Sequence, residues 1–84
     1  MLTVQLRYFA SLREALGATE TLSMASGSTL ADLRDTLIAR GGRHAEVLQR
    51  GRAVRVAMQQ LIRDESAALV DGAEVAFFPP VTGG

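Results

Sequence analysis

Leu30, Leu33, Leu37 and Ile38 recur at helical spacing and form the clearest helical stripe in the chain. That stripe constrains the fold most, because the segments around it carry the two-residue alternation of strands. Thr29 is placed to cap the helix, and Asp32 suits the positive end of its dipole. Gly41-Gly42 is placed to end it. Ahead of the helix, Leu2 to Tyr8 alternates cleanly, with Leu2, Val4, Leu6 and Tyr8 on one face. Thr3, Gln5, Arg7 and then Phe9 take the other. Ser11-Leu12-Arg13-Glu14 has the Ser-x-x-Glu form of a capping box and Gly17 follows as a stop, which predicts a short helix from about Leu12 to Leu16. Thr19 to Met24 reads as a second, weaker strand, and Ala25-Ser26-Gly27 as a turn. Beyond the main helix, His44 to Arg50 reads as a short turn. Ala53 to Met58 reads as a third strand, with Leu61-Ile62 a short edge piece. Asp71-Gly72 is a turn, and Glu74 to Phe78 the last strand. Pro79-Pro80 stops that strand, since neither proline can donate to a ladder. Strand, strand, helix, strand, short strand, strand predicts a sheet whose apolar face packs on the Leu30–Ile38 stripe, a two-layer α+β fold.

Eighty-four residues make one small domain. Such a chain buries only about 60–65% of the surface its unfolded form exposes, so the core is modest. A hydrophobic fraction of 48% still argues for a globular fold over disorder. No apolar run is long enough to span a membrane, and the start lacks the basic and apolar regions of a secretory signal; the cytoplasm is the expected location. There is no cysteine, which excludes disulfides, thiolate metal sites and a cysteine nucleophile. All nine basic residues are arginine, so no lysine is available for a Schiff base or an internal attachment point.

The formal net charge is zero, which does not favour nucleic acid. Charge is unevenly spread. Arg40, Arg43, Arg50, Arg52 and Arg55 have only Glu46 within their stretch, whereas Asp64, Glu65, Asp71 and Glu74 follow Arg63 without a further base. The arginine stretch lacks the interleaved aromatics of a single-strand reader, so it reads as a solvated face or a docking surface for an acidic partner. The acidic run reads as a solvated face that could also steer docking. His44, the only histidine, stands in a polar stretch and reads as an exposed residue. No carboxylates have companions at metal spacing, so no metal site is expected, and no phosphate-binding glycine motif occurs.

One reactive group remains, the α-carboxylate at Gly84. Ionised, it is a poor electrophile; activated as a mixed anhydride, its carbon is readily attacked. The ending FFPPVTGG, Phe77 to Gly84, is built to present it. Pro79-Pro80 favours polyproline II geometry, about 3.1 Å per residue, so the six residues from Pro79 would project roughly 18 Å. Val81 and Thr82 resist collapse into helix. Gly83 and Gly84 have no Cβ, so the tip can pass a narrow channel. A frayed terminus is the plain alternative.

From Asp71-Gly72 through Phe77-Phe78-Pro79-Pro80-Val81-Thr82-Gly83-Gly84, the chain resembles the C-terminus of the MoaD branch of the ubiquitin-like sulfur carriers, the small subunits of molybdopterin synthase. Val4 to Leu16, with Tyr8-Phe9-Ala10, resembles the start of that family, and Thr29 to Leu33 the start of its main helix. Ala73, where an acid is common, and Met58-Gln59-Gln60, where a valine-asparagine pair is usual, depart from it. The resemblance implies a β-grasp domain over residues 1–78, a mixed sheet with one main helix on one face, and an extended, flexible Gly-Gly tail over 79–84. It also implies a mechanism. A partner adenylyltransferase, related to ubiquitin-activating enzymes, would activate Gly84 with ATP and magnesium. A separate sulfur donor would convert it to a thiocarboxylate. The large synthase subunit, in a heterotetramer of two small and two large subunits, would receive the sulfur for cyclic pyranopterin monophosphate. Pro79, Pro80, Val81, Thr82 and Gly83 would thread into that subunit's active site. This chain would bind no cofactor of its own, no nucleic acid and no membrane. Neighbouring first and last strands would bring Phe9 and Phe78 together on the outer sheet face, where with Ile62 they would anchor the large subunit. Two alternatives stand beside this reading: a sister carrier serving thiamine or tRNA thiolation, and a β-grasp interaction module without sulfur chemistry.

Overall fold

The structure, a computed structural model, describes residues 1–80. It contains β1 (Leu2–Tyr8), α1 (Ala10–Leu16), β2 (Thr19–Met24), α2 (Leu30–Ala39), α3 (Gly42–Leu48), β3 (Arg55–Met58), β4 (Leu61–Ile62) and β5 (Glu74–Phe78). The five strands form one sheet in the order β2-β1-β5-β3-β4. β1 and β5 run parallel; the other neighbours are antiparallel. The fold is the expected α+β β-grasp, with a mixed sheet and its main helix on one face.

Alternation in β1 turns Leu2, Val4, Leu6 and Tyr8 inward, and all four are buried. Val75 and Phe77 of β5 and Val56 and Met58 of β3 join them. From the helical layer come Leu30, Leu33 and Leu37, each with no exposed surface. Burying a leucine fully contributes about 1.5–3 kcal/mol, so this stripe is the main tie between the layers. Ile38 lies at the edge of the same cluster. α2 starts at a complete capping box: Thr29 Oγ1 accepts from Asp32 N–H at 3.2 Å, and Asp32 Oδ2 accepts from Thr29 N–H at 2.9 Å.

Four local expectations are corrected. The Ser11 capping box does not form. α1 begins at Ala10 with Phe9 as its N-cap and no side-chain cap bond. The chain passes straight from β1 into the helix. Phe9 N–H donates to the Phe77 carbonyl at 3.2 Å, while the Phe9 carbonyl accepts from Leu12 and Arg13. Ala10 takes a left-handed φ of 53° to make that corner, which places Ser11 inside the helix. The segment read as a turn near His44 is a two-turn helix, α3, entered through Gly41 and Gly42 at φ 73° and 55°. β3 begins at Arg55, two residues later than the alternation suggests.

His44 is the fourth correction. On α3 its side chain is only 22% exposed, with Nε2 3.2 Å from Glu20 Oε2 and its ring edge-on to Tyr8. Val81, Thr82, Gly83 and Gly84 lie outside the described residues. No helix among the described residues is long and apolar enough to cross a membrane.

Candidate functional site

β5 carries the tail, and it is the central strand of the sheet, between β1 and β3. The register pairs Tyr8 with Phe77, so Phe9 and Phe78 follow side by side on the two parallel strands. Phe9 keeps an extended backbone, φ −124° and ψ 156°, so its side chain continues the outward face of β1. It is 41% exposed, and Phe78 is half-buried. The Arg7 guanidinium lies 5.6 Å from the Phe9 ring centroid, a cation–π distance, and Arg7 Nη1 lies 3.7 Å from Glu74 Oε2. That ion pair is half in water and contributes little to stability, on the order of 0–1 kcal/mol. Its effect is to hold the arginine against the aromatic face.

Across the outer face one row runs Ile62–Ala57–Ala76–Arg7 through direct register partners. In the next row, Phe78 stands opposite Arg55. Ile62, at 64% exposure, marks the far side of the patch. Sequence reasoning missed its floor. Ala57, which is buried, and Ala76, which is half-buried, occupy positions on the outer face where a solvated strand usually carries polar side chains, and their small size leaves a shallow apolar shelf between Ile62 and the two phenylalanines. Alanine at consecutive outward positions on adjacent strands is the sequence sign that could have found it. Leu61, at 65% exposure on the same short strand, was also not singled out. The structure thus places Phe9, Phe78 and Ile62 around one apolar shelf on the outer face. Pro79 and Pro80 continue from β5 and are half-buried. The remaining tail residues named from the sequence, Val81 to Gly84, lie outside the described residues.

The charge pattern read along the chain is redistributed in space. Arg40 Nη1 donates to Glu20 Oε1 at 2.6 Å. Arg50 bridges Asp35, at 2.8 Å, and Glu65. Glu65 also accepts from Arg34 at 2.8 Å. Two of the five arginines between Arg40 and Arg55 are therefore matched by acids from distant segments. Arg34 was missed altogether. It is 4% exposed, and its Nε and Nη2 donate to the carbonyls of Leu48, Gln49 and Arg52. One side chain thereby satisfies the end of α3 and fixes the loop that leads into β3. Burial pushes the Glu20 carboxyl up, but hydrogen bonds from Arg40, His44 and Tyr8 outweigh it and hold the group below its ordinary value. Burial and the Glu20 contact push the Tyr8 hydroxyl well above its usual range, so it stays a donor.

Residues 6–84 match the model of the ThiS family. The chain is 38% identical over 81 residues to the molybdopterin synthase sulfur carrier subunit of Escherichia coli, covering 96% of this chain and 99% of that one. It is 37% identical to the Mycobacterium tuberculosis protein of the same name, over the whole of both chains. Among solved structures, it superposes on a complex of subunits 1 and 2 of molybdopterin-converting factor from Helicobacter pylori. There the TM-score is 0.70 and the identity 24%, covering 99% of this chain and 100% of the matched one.

Proposed function

This chain belongs to the ThiS family, and from that membership we propose that it is the sulfur carrier subunit of a molybdopterin synthase, acting through the terminal carboxylate of Gly84. The single observation that supports the reading is where Pro79 begins. It follows the central strand of the sheet beside an apolar shelf edged by the partly exposed Phe9 and Phe78 and the exposed Ile62. A docked partner covering the shelf would receive the tail at its own surface. In the proposed cycle a partner adenylyltransferase uses ATP and magnesium. The Gly84 carboxylate oxygen attacks the α-phosphorus, pyrophosphate leaves, and an acyl-adenylate forms. Hydrosulfide supplied by a separate donor attacks the carbonyl carbon, AMP leaves and a proton is lost, giving the thiocarboxylate with no change of oxidation state. Pro79, Pro80, Val81, Thr82 and Gly83 then guide it into the large subunit. There its sulfur passes to cyclic pyranopterin monophosphate, and water attack at the carbonyl carbon regenerates the carboxylate. Two deliveries complete the dithiolene. The assembly is a heterotetramer of two small and two large subunits.

Deleting Gly83 and Gly84 tests the reading. Sulfur transfer should be abolished while the melting temperature stays unchanged and the large subunit is still bound through the shelf. Protein isolated from its own cells should also show a mass gain equal to the difference between sulfur and oxygen. Retained activity in the truncated chain would overturn the reading. A carrier for thiamine or tRNA thiolation would show the same mass gain but fail to form the dithiolene in a reconstituted synthase.

A further inference from the structure

β4 is two residues long and covers β3 only at Ala57 and Met58. Beyond β4, Arg63 N–H still reaches the Val56 carbonyl, so the edge is bare only from the Val56 N–H back through Val54, and its backbone polarity follows from the ladder. Gln59 N–H donates to the Glu74 carbonyl at 2.9 Å, so Ala57 and Arg55, at alternate positions, also turn their backbone groups to β5. Val54 and Val56 turn theirs the other way. The Val56 carbonyl accepts from Arg63 N–H at 3.1 Å, after which the chain swings off towards α2. Among the described residues no backbone partner meets the Val56 N–H or either backbone group of Val54.

This edge opens into a groove of about 740 Å³, where Ala31, Val54 and Ile62 supply the apolar lining, the buried Val56 lies behind it, and the rest is charged. Its rim carries Arg50, Arg55 and Arg63 against Asp64 and Glu65, an excess of one positive charge. Glu65 is taken up by Arg34 and Arg50, and Asp64 remains an exposed carboxylate that accepts from Ser66 N–H at 2.8 Å. Arg55 and Arg63 are exposed and form no ion pair among the described residues. Ile62 is shared between the groove and the outer shelf, and Arg55 stands opposite Phe78, so the two surfaces are continuous.

We propose that this groove is a docking site for an extended acidic segment of the partner protein that covers the shelf. The segment takes up the line of β4 and pairs with the free Val56 N–H and both backbone groups of Val54 as a short added strand. Main-chain hydrogen bonds supply the affinity of such strand addition; alternate side chains supply the specificity, here apolar residues into the groove and carboxylates onto Arg55 and Arg63. The identity of the partner rests on the carrier reading; the chemistry of the groove does not.

The test uses the full chain and two labelled peptides, one alternating valine and glutamate, the other valine and glutamine. The glutamate peptide should shift the amide resonances of Val54, Val56 and Arg63. Its affinity should fall about tenfold in the Arg55→Glu/Arg63→Glu double variant and about tenfold for the glutamine peptide. Val54→Pro keeps every charge but removes the edge donor, and it should weaken binding as much. Unchanged melting temperatures and amide spectra away from the groove establish that the variants fold. The double variant should lose affinity for the large subunit as well. Shifts centred elsewhere, such as the β2 edge at Thr19–Ser23, would overturn the proposal. So would full binding by Val54→Pro, or the same shifts on raising the concentration of the chain alone, which would mean a second copy fills the groove. A chain lacking Gly83 and Gly84 should bind the peptide undiminished, so failure of the sulfur chemistry and failure of the groove are read separately.

Discussion

Arg34 shows how one side chain can set a fold's local geometry. Its guanidinium meets three carbonyls and a carboxylate while almost wholly out of water. Replacing it leaves the three carbonyls without that donor and Glu65 with Arg50 alone. Arg34→Ala should lower unfolding free energy by about 3 kcal/mol, read from the urea midpoint at constant slope. The helical spacing contained the clue, since Arg34 falls within the stripe of Leu30, Leu33, Leu37 and Ile38. A charge in an apolar stripe is easily read as an edge residue, because its partners at 48, 49, 52 and 65 are remote in sequence. Gln59 and Gln60 tell a similar story. Both hold left-handed backbone, φ 52° and 68°, in the two-residue turn between β3 and β4. Such turns suit asparagine and glycine, and a side chain there is strained. Gln60→Gly should stabilise the protein by about 1 kcal/mol in the same urea assay without altering sulfur transfer.

At the level of elements, the β2–α3 contact is an ionic clamp in which Glu20 receives Tyr8, Arg40 and His44. The folded carboxyl is held below its ordinary value of 4.5. A depressed folded pKa means the clamp contributes fully above the unfolded value and is lost as pH falls through the folded one. Denaturation midpoints of the parent chain and Glu20→Gln should therefore differ at neutral pH and converge in acid, below the ordinary carboxyl range. A difference that persists in strong acid would show that another group carries the effect. Strand and helix assignments were legible where the pattern was local, as in the alternation of β1 and the apolar stripe of α2. They were less so where tertiary contacts decide. α1 takes its start from a β1–β5 backbone bond rather than from Ser11, and α3 is tied down by a buried arginine that belongs to another helix.

For the molecule as a whole, the division between the core and the outer face of the sheet governs what a substitution does. Phe78 is half-buried on the outer face, whereas Phe77 beside it is fully buried. Phe78→Ser should reduce large-subunit affinity at least about tenfold with little change in melting temperature, whereas Phe77→Ala should cost about 3–5 kcal/mol of stability. If Phe78→Ser instead melts the protein while binding holds, the residue is core and the docking face lies elsewhere. The outward face of the sheet was readable from alternation, but the alanine shelf was not, because two small residues become a surface only when β3 and β5 are laid side by side. The central position of β5 also has a mechanical meaning. A pull on the C-terminus is directed along a strand braced on both flanks, so the ladders to β1 and β3 are loaded in shear together rather than peeled open bond by bond. A partner that tugs on the C-terminal end would meet a fold that resists like a lap joint, not a zip.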